Sequence, residues 1–220
     1  MNGTTQAYFN KWLKNPPTGG TFLNARVYTT IDRFLQHAAK RGFAGNMLDI
    51  GCGDGSFVSY CKEKGLDAHG IDIGDGVDFE TDTLPFKDNS FDFALMNSVI
   101  EHLKDPANIL KETKRVLSHD GILIVITPNL DTVKFGFWDD PTHVRPYNPR
   151  NIVWMMNMFD FEKIRVGLWT VGKSSSLWDL PEDWQFQIGR FLPFTGLNKY
   201  APGFLKGKST TMLCALRVRK

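Results

Sequence analysis

Apolar residues along this chain fall into two alternating rhythms. Tyr28, Ile31, Phe34, Leu35, Ala38 and Ala39 recur at helical spacing and predict a core-facing stripe ahead of the first strand. That strand ends at Leu48-Asp49-Ile50. Ser56 to Lys64 then predicts a helix with Phe57, Val58, Tyr60 and Cys61 inward, closed by Lys62, Lys64 and a stop at Gly65. Ala68-His69-Gly70-Ile71 and Phe91 to Asn97 read as strands. Asp105 caps the next helix with Pro106 at its first position, and Ile109, Leu110, Thr113, Val116 and Leu117 form its inner face. A further strand lies within Ile122 to Asn129. Asn148 and Pro149 repeat the start signal before Ile152, Val153, Met156 and Phe159, and Lys163 to Trp169 and Thr210 to Val218 supply two late strands. Helix and strand in alternation predict an α/β fold, a mainly parallel sheet covered on both faces.

Composition narrows the function. At 220 residues with 42% hydrophobic content, one domain with a full core is expected. A formal charge of +2 carries no nucleic-acid footprint. Cys52, Cys61 and Cys214 lack metal-ligand spacing, so no metal is expected, and their odd count suits reduced thiols in a cytosol. Met1 to Asn15 has no signal-peptide core, and the longest apolar run, Ile122 to Ile126, is too short to span a bilayer. A cytoplasmic protein is expected.

The chemistry concentrates at Leu48-Asp49-Ile50-Gly51-Cys52-Gly53-Asp54-Gly55. Three glycines at alternate positions let backbone and ligand approach closely. An ordinary strand-to-helix connection is the bland alternative. Asp49 and Asp54 place carboxylates where a phosphate binder would want bare N–H groups, so a cationic ligand with hydroxyls fits better than a pyrophosphate. S-adenosylmethionine, with sulfonium, ammonium and ribose, is such a ligand. Asp72 closes the second strand, where an acid can accept hydrogen bonds from both ribose hydroxyls.

With these motifs the chain resembles the class I S-adenosylmethionine-dependent methyltransferases of small-molecule type. Leu48 to Gly55 resembles their glycine motif and Asp72 their ribose-binding acid. Leu84-Pro85-Phe86-Lys87-Asp88-Asn89-Ser90-Phe91-Asp92, Asn97-Ser98-Val99-Ile100-Glu101-His102-Leu103, and Arg115 to Asn129 resemble the later motifs in order. The resemblance implies a Rossmann-like, doubly wound α/β sheet of seven strands, mostly parallel with the last strand antiparallel. It implies one methyltransferase domain over residues 1–220: an N-terminal helical segment 1–44, a cofactor-binding core 45–169, an aromatic-rich insertion 170–208 and a last strand 209–219. S-adenosyl-L-methionine is the implied cofactor. Gly51, Cys52, Gly53 and Gly55 would enclose its amino-acid part, with Asp49 orienting that end. Asp72 would hold the ribose and Ile73 pack on the adenine, with Glu80 and Thr81 near the adenine amino group. Asn97, Ser98 and Val99 would line the methyl side.

The acceptor side has two candidate catalytic residues. His102 follows Glu101 after a strand and could take a proton from an acceptor hydroxyl; a structural hydrogen bonder is the rival reading. His143, Arg145 and Tyr147 alternate with Val144 and Pro146, so an extended segment would aim all three one way as acceptor-binding residues. A loop-anchoring Arg–Asp pair is the competing account. No Asn-Pro-Pro-Tyr or Asp-Pro-Pro-Tyr signature follows the fourth motif strand, which leaves an oxygen acceptor favoured, with a sugar or sugar nucleotide the leading choice. A non-catalytic cofactor-binding partner subunit is the alternative. An NAD-dependent oxidoreductase ranks lower, since it calls for Gly-x-Gly-x-x-Gly. The expected partner is a small-molecule acceptor, and the chain is expected to be a monomer or a homodimer. Trp178, Pro181, Trp184, Phe186, Phe191, Pro193, Phe194, Tyr200, Pro202 and Phe204 fill the insertion. It reads as an extra packing layer, as an acceptor wall or dimer surface, or, with Lys206 and Lys208, as a peripheral membrane contact.

Overall fold

A computed structural model describes residues 20–169, 178–193, 200 and 209–220. In chain order the elements are α1 (Gly20–Ala39), β1 (Asn46–Ile50), α2 (Ser56–Glu63), β2 (Asp67–Ile71), β3 (Phe91–Asn97), α3 (Ala107–Val116), β4 (Leu117–Pro128), the short α4 (Leu130–Val133), α5 (Pro149–Met158), β5 (Phe161–Leu168), α6 (Glu182–Phe191) and β6 (Thr211–Val218). The sheet order is β2-β1-β3-β4-β6-β5. All pairings through β4 are parallel, and β6 runs antiparallel to both β4 and β5.

Strand periodicity sorts the core into two layers. Met47, Phe93, Leu95, Ile122, Ile124 and Ile126 face α1 and α2, where they meet Ile31, Phe34, Leu35 and Cys61. Their neighbours Leu48, Ile50, Ala94, Met96, Leu123 and Val125 face α3 and α5, meeting Ile109, Leu110, Ile152 and Met156. The start of α5 is fixed by a reciprocal cap. Asn148 accepts from the amides of Arg150 and Asn151, and Asn151 accepts from the amide of Asn148. At α3 the Asp105 carboxylate accepts from Ala107 N at 3.0 Å, and Pro106 stands just before the helix rather than in it.

The sheet of the described residues has six strands where seven were expected. The difference lies in residues 72–90, between β2 and β3. Ile73–Asp75 makes a single 3₁₀ turn, stopped by Gly76 in the left-handed region, so no crossover helix forms to return another parallel strand. The rest of the segment satisfies its backbone within itself and from α3 instead of a ladder. Asn108 donates to Phe79 O at 3.2 Å and to Asp82 O at 2.8 Å, and Glu112 accepts from Leu84 N at 2.8 Å. Arg115 donates to Leu84 O at 2.9 Å and to Phe86 O at 2.8 Å, while pairing with Glu112 and Asp88.

The insertion divides in character. Trp178 is fully buried, its ring 5.1 Å from Phe34 and its Nε1 donating to Leu168 O. That is the packing-layer role. In α6 the expected shared face of Trp184, Ile188, Phe191 and Leu192 is not the buried one: Trp184 is 66% and Phe191 80% exposed, while Gln185 is buried and donates to Leu180 O. Residues 1–19, and Phe194, Pro202, Phe204, Lys206 and Lys208, lie outside the described residues. Among the described residues no helix is long and apolar enough to cross a membrane.

Arg115 ties the strandless segment to α3, so Arg115→Ala should destabilise the fold by about 2–3 kcal/mol, read from chemical denaturation. The hydrogen bond from Arg115 holds Glu112 below its ordinary value of 4.5, helped by the Leu84 amide and opposed by burial. A depressed carboxylate contributes stability above its unfolded value and loses it as pH falls through the folded one. Thermal scans between about pH 3 and 6 should therefore show a steeper acid loss in the parent than in Glu112→Gln.

Candidate active site

β1 delivers the chain to its turn through the neighbouring strand. The amides of Gly51 and Cys52 both donate to Ile71 O, at 2.8 and 3.3 Å, extending the β1–β2 contact past the last ladder pair. Gly51 has φ +81°, and a Cβ there would meet Val99 Cγ2 at 2.3 Å. No side chain fits in that conformation and space, and the turn therefore packs directly against the loop leaving β3.

Asp72 locks the other side of the turn. Its Oδ2 accepts from Gly53 N at 3.0 Å and its Oδ1 from Gly74 N at 3.3 Å, while Asp75 accepts from Asp72 N at 2.8 Å. Each carboxylate oxygen keeps a further lone pair for a ligand hydroxyl. Asp49 is buried in β1. Desolvation, then the charge of Asp72, pushes its carboxyl up to about 7. Burial pushes the Cys52 thiol up to about 12, so it is no nucleophile at neutral pH.

Gly51 and Asp72 border a small cleft at the carboxyl ends of β1, β2 and β3. The chain passes from β2 to β3 across β1, so the cleft occupies the point where strand order reverses, the usual ligand position in an open α/β sheet. Gly51, Asp72, Ile73, Phe79, Ser98, Val99, His102 and Leu103 line it. Six of these carry expectations from the sequence. Phe79 and Leu103 do not, although Phe79 was the one aromatic inside an acid-rich run. Cys52, Gly53 and Gly55 line a second depression, which shares Asp72 with the first. Asn97 and Thr81 are exposed and outside the cleft lining, and Thr81 donates to Asp82. Glu80 uses its Oε1 to accept from the amides of Lys104 and Asp105, at 2.6 and 3.4 Å, tying the loop after β3 to the strandless segment.

The donor set suits the cofactor that the sequence implies. An acid with spare lone pairs suits a ribose, a side-chain-free bend allows close approach, and a buried carboxyl stands behind the bend where a cation would favour its charge. S-adenosylmethionine would be held by Gly51, Asp72 and Ile73, with Asp49 behind the turn.

Beyond Val99 the wall becomes polar. Ser98 leaves β3 with φ +57°, its amide donating to Ile126 O at 2.9 Å, and Ile100–His102 forms one 3₁₀ turn. Glu101 is fully buried. Thr127 Oγ1 donates to its Oε2 at 2.9 Å, Oε1 has no hydrogen-bond partner among the described residues, and burial raises the carboxyl to about 7. Nothing in the sequence spacing singled out Glu101; its signal was a carboxylate directly beside a candidate histidine. His102 lies 4.8 Å from His143, ring centre to ring centre. Burial and then the neighbouring His143 lower His102 from its ordinary value, so its imidazole is neutral near pH 7.

His143, Arg145 and Tyr147 do not point one way. In an extended segment successive amides face opposite sides, but Val144 N and Arg145 N both donate to Glu101 O, at 2.9 and 3.1 Å, so the chain turns there. His143 alone reaches His102. Arg145 donates to Lys104 O rather than pairing with an aspartate. Tyr147 is buried, its hydroxyl donating to Met155 Sδ at 3.5 Å.

Comparison with known proteins agrees with this architecture. Residues 22–166 match the methyltransferase domain family. The chain is 36% identical over 129 residues to an uncharacterized protein of Methanocaldococcus jannaschii, covering 53% of this chain and 56% of that one. It is 27% identical over 157 residues to a ubiquinone biosynthesis O-methyltransferase of Actinobacillus pleuropneumoniae, covering 59% and 67%. For the first of these relatives, then, little more than half the length is matched. Among solved structures, an S-adenosylmethionine-dependent methyltransferase of Archaeoglobus fulgidus superposes with a TM-score of 0.60 at 18% identity, covering 96% of this chain and 99% of that one. A putative methyltransferase of Haloferax volcanii, solved in complex with the Trm112 methyltransferase activator, also reaches 0.60, at 14% identity with 96% and 98% covered. These share the fold. The chain belongs to the methyltransferase domain family, and S-adenosylmethionine is its cofactor.

Proposed function

We propose that this protein transfers a methyl group from S-adenosylmethionine to an oxygen of a small molecule, a sugar or sugar nucleotide first among the candidates. The observation that carries this reading is the change of wall chemistry along one cleft. Gly51, Asp72 and Ile73 form its nucleoside end, and His102, with His143 behind it, forms the other. When bound, the cofactor supplies a methyl group already made electrophilic by its sulfonium.

The protein's own share is positioning and activation. Val99 and Leu103 exclude water where the acceptor meets the methyl group. Alignment of two reactants in this manner is worth on the order of 7–11 kcal/mol in well-oriented systems. An acceptor hydroxyl must also lose its proton as its oxygen bonds carbon and the carbon–sulfur pair returns to sulfur. The His102–His143 pair is the group that lowers the cost of that loss.

Labelled-methyl transfer by the isolated chain, screened over hydroxylated small molecules, tests this reading. Turnover without a second polypeptide is expected; strict dependence on an added activator would favour the partner-subunit alternative. Asp72→Ala should weaken binding of S-adenosylhomocysteine at least about tenfold, since charge-assisted hydrogen bonds are lost. His143→Ala should leave that affinity unchanged and lower kcat by roughly a hundredfold. A cation beside Asp49 favours its ionised form, so binding releases a proton and affinity should rise as pH climbs through about 7. Titration calorimetry of Asp49→Asn should show that rise removed.

A further inference from the structure

The loop leading into α5 carries a cation without a counter-charge among the described residues. Arg145 is half-buried, and one of the five N–H donors of its guanidinium goes to Lys104 O. Its Nε is shut off from water with no hydrogen-bond partner among the described residues, a desolvation cost left unmet. Arg41, Arg115 and Arg219 each stand beside a carboxylate, whereas Arg145 has none among the described residues. The carboxylates of the surrounding loops are engaged elsewhere. Glu80 accepts from the amides of Lys104 and Asp105, and Asp105 from Ala107 N. Asp140 accepts from Thr142 N and Oγ1, and Glu101 from Thr127 Oγ1.

The guanidinium stands at the acceptor end of the cleft. Its partner Lys104 directly follows Leu103, and both His102 and Leu103 line the cleft. The amides of Val144 and Arg145 fasten the loop to Glu101 O, so the side chain rises from a pinned base. Anchoring one carbonyl needs one donor, which an amide or hydroxyl side chain would supply without a charge. A charged planar fork with its remaining donors unclaimed is matched instead to two oxygens of a single oxyanion. We infer that Arg145 receives a phosphate or carboxylate group of the acceptor. It thereby selects acceptors that carry such a group beside the hydroxyl to be methylated.

The inference rests on the methyl-transfer reading and narrows it. Among sugars it favours a sugar nucleotide, a sugar phosphate or a uronic acid over a neutral glycoside. The two ends of the site then differ in sign. Asp72 lines the nucleoside end, with Asp54 and Asp75 in the adjoining depression, and Arg145 stands at the other end, where the exposed Lys104 adds a second positive charge to the neighbouring loop. A cationic cofactor and an anionic acceptor are sorted by charge to their own ends.

Titration calorimetry of the full-length chain, saturated with S-adenosylhomocysteine at low salt, tests the receptor with two probes, inorganic pyrophosphate and glucuronate. The parent should bind at least one of them. Arg145→Gln should weaken that binding at least about tenfold, since a charge-assisted fork is lost, and should leave S-adenosylhomocysteine affinity unchanged. Arg145→Lys keeps the charge and a donor for Lys104 O without the planar fork, which guards against a folding defect. It should show the parent thermal transition and still bind the probe more weakly. Arg150→Gln, at an exposed arginine in the first turn of α5, should bind the probe as the parent does. No binding of either probe at millimolar concentration, equal binding by parent and Arg145→Gln, or an equal loss in Arg150→Gln would overturn the inference. In the labelled-methyl screen, acceptors bearing an oxyanion should show a lower KM than their neutral analogues, a preference lost in Arg145→Gln. Turnover of neutral acceptors without that preference would remove the receptor and leave the methyl-transfer reading standing. Probe binding that depends on Arg145 in a chain that transfers no methyl group would do the reverse.

Discussion

The contact between a bare Cα at Gly51 and the Val99 side chain is the constraint on which the rest of the site depends. It brings the end of β1 against the loop leaving β3, and every distance across the cleft follows from that approach. A methyl group at Gly51 would need the space of Val99 Cγ2, 2.3 Å away, and would also oppose the left-handed backbone. Asp72 completes the arrangement from β2 by accepting the Gly53 amide. Three neighbouring strand ends are thus joined by steric contact on one side and hydrogen bonds on the other. The cofactor-facing residues need no flexible element to assemble.

Legibility in the sequence followed the range of the interactions. Elements set by local periodicity and caps were readable: β3 lies at Phe91–Asn97, and Asn148 and Pro149 begin α5 through a reciprocal cap. The glycine turn and Asp72 were readable for the same reason, since both are local to strand ends. The missing strand was not. Its absence depends on Asn108, Glu112 and Arg115 on α3 capturing the backbone of residues 79–86, which no window on that segment contains.

The acceptor wall shows the same limit at closer range. Alternation at His143, Arg145 and Tyr147 was a real pattern, but two consecutive amides fold onto the single carbonyl of Glu101 and break it. The same residue accepts from Thr127 on β4 through its side chain. Glu101 therefore organises three stretches distant in sequence, the ends of β3 and β4 and the loop around His143. Its burial beside His102 is a tertiary fact. In α6, likewise, amphipathic spacing identified a helix but not which side would be covered, because Gln185 is drawn inward by the carbonyl of Leu180.

The strandless segment has a consequence at the opposite rim of the sheet. Among the described residues nothing pairs with the outer side of β2, so its amides and carbonyls form an open border that another extended chain could add to. The strand is only five residues long, and it carries Asp67 and His69 on its exposed positions, 3.2 Å apart as an ion pair when the imidazole is protonated. Shortness and charge are what keep such a border solitary. In this protein the rim nearest the nucleoside end is guarded against self-association by two side chains that take no part in the chemistry.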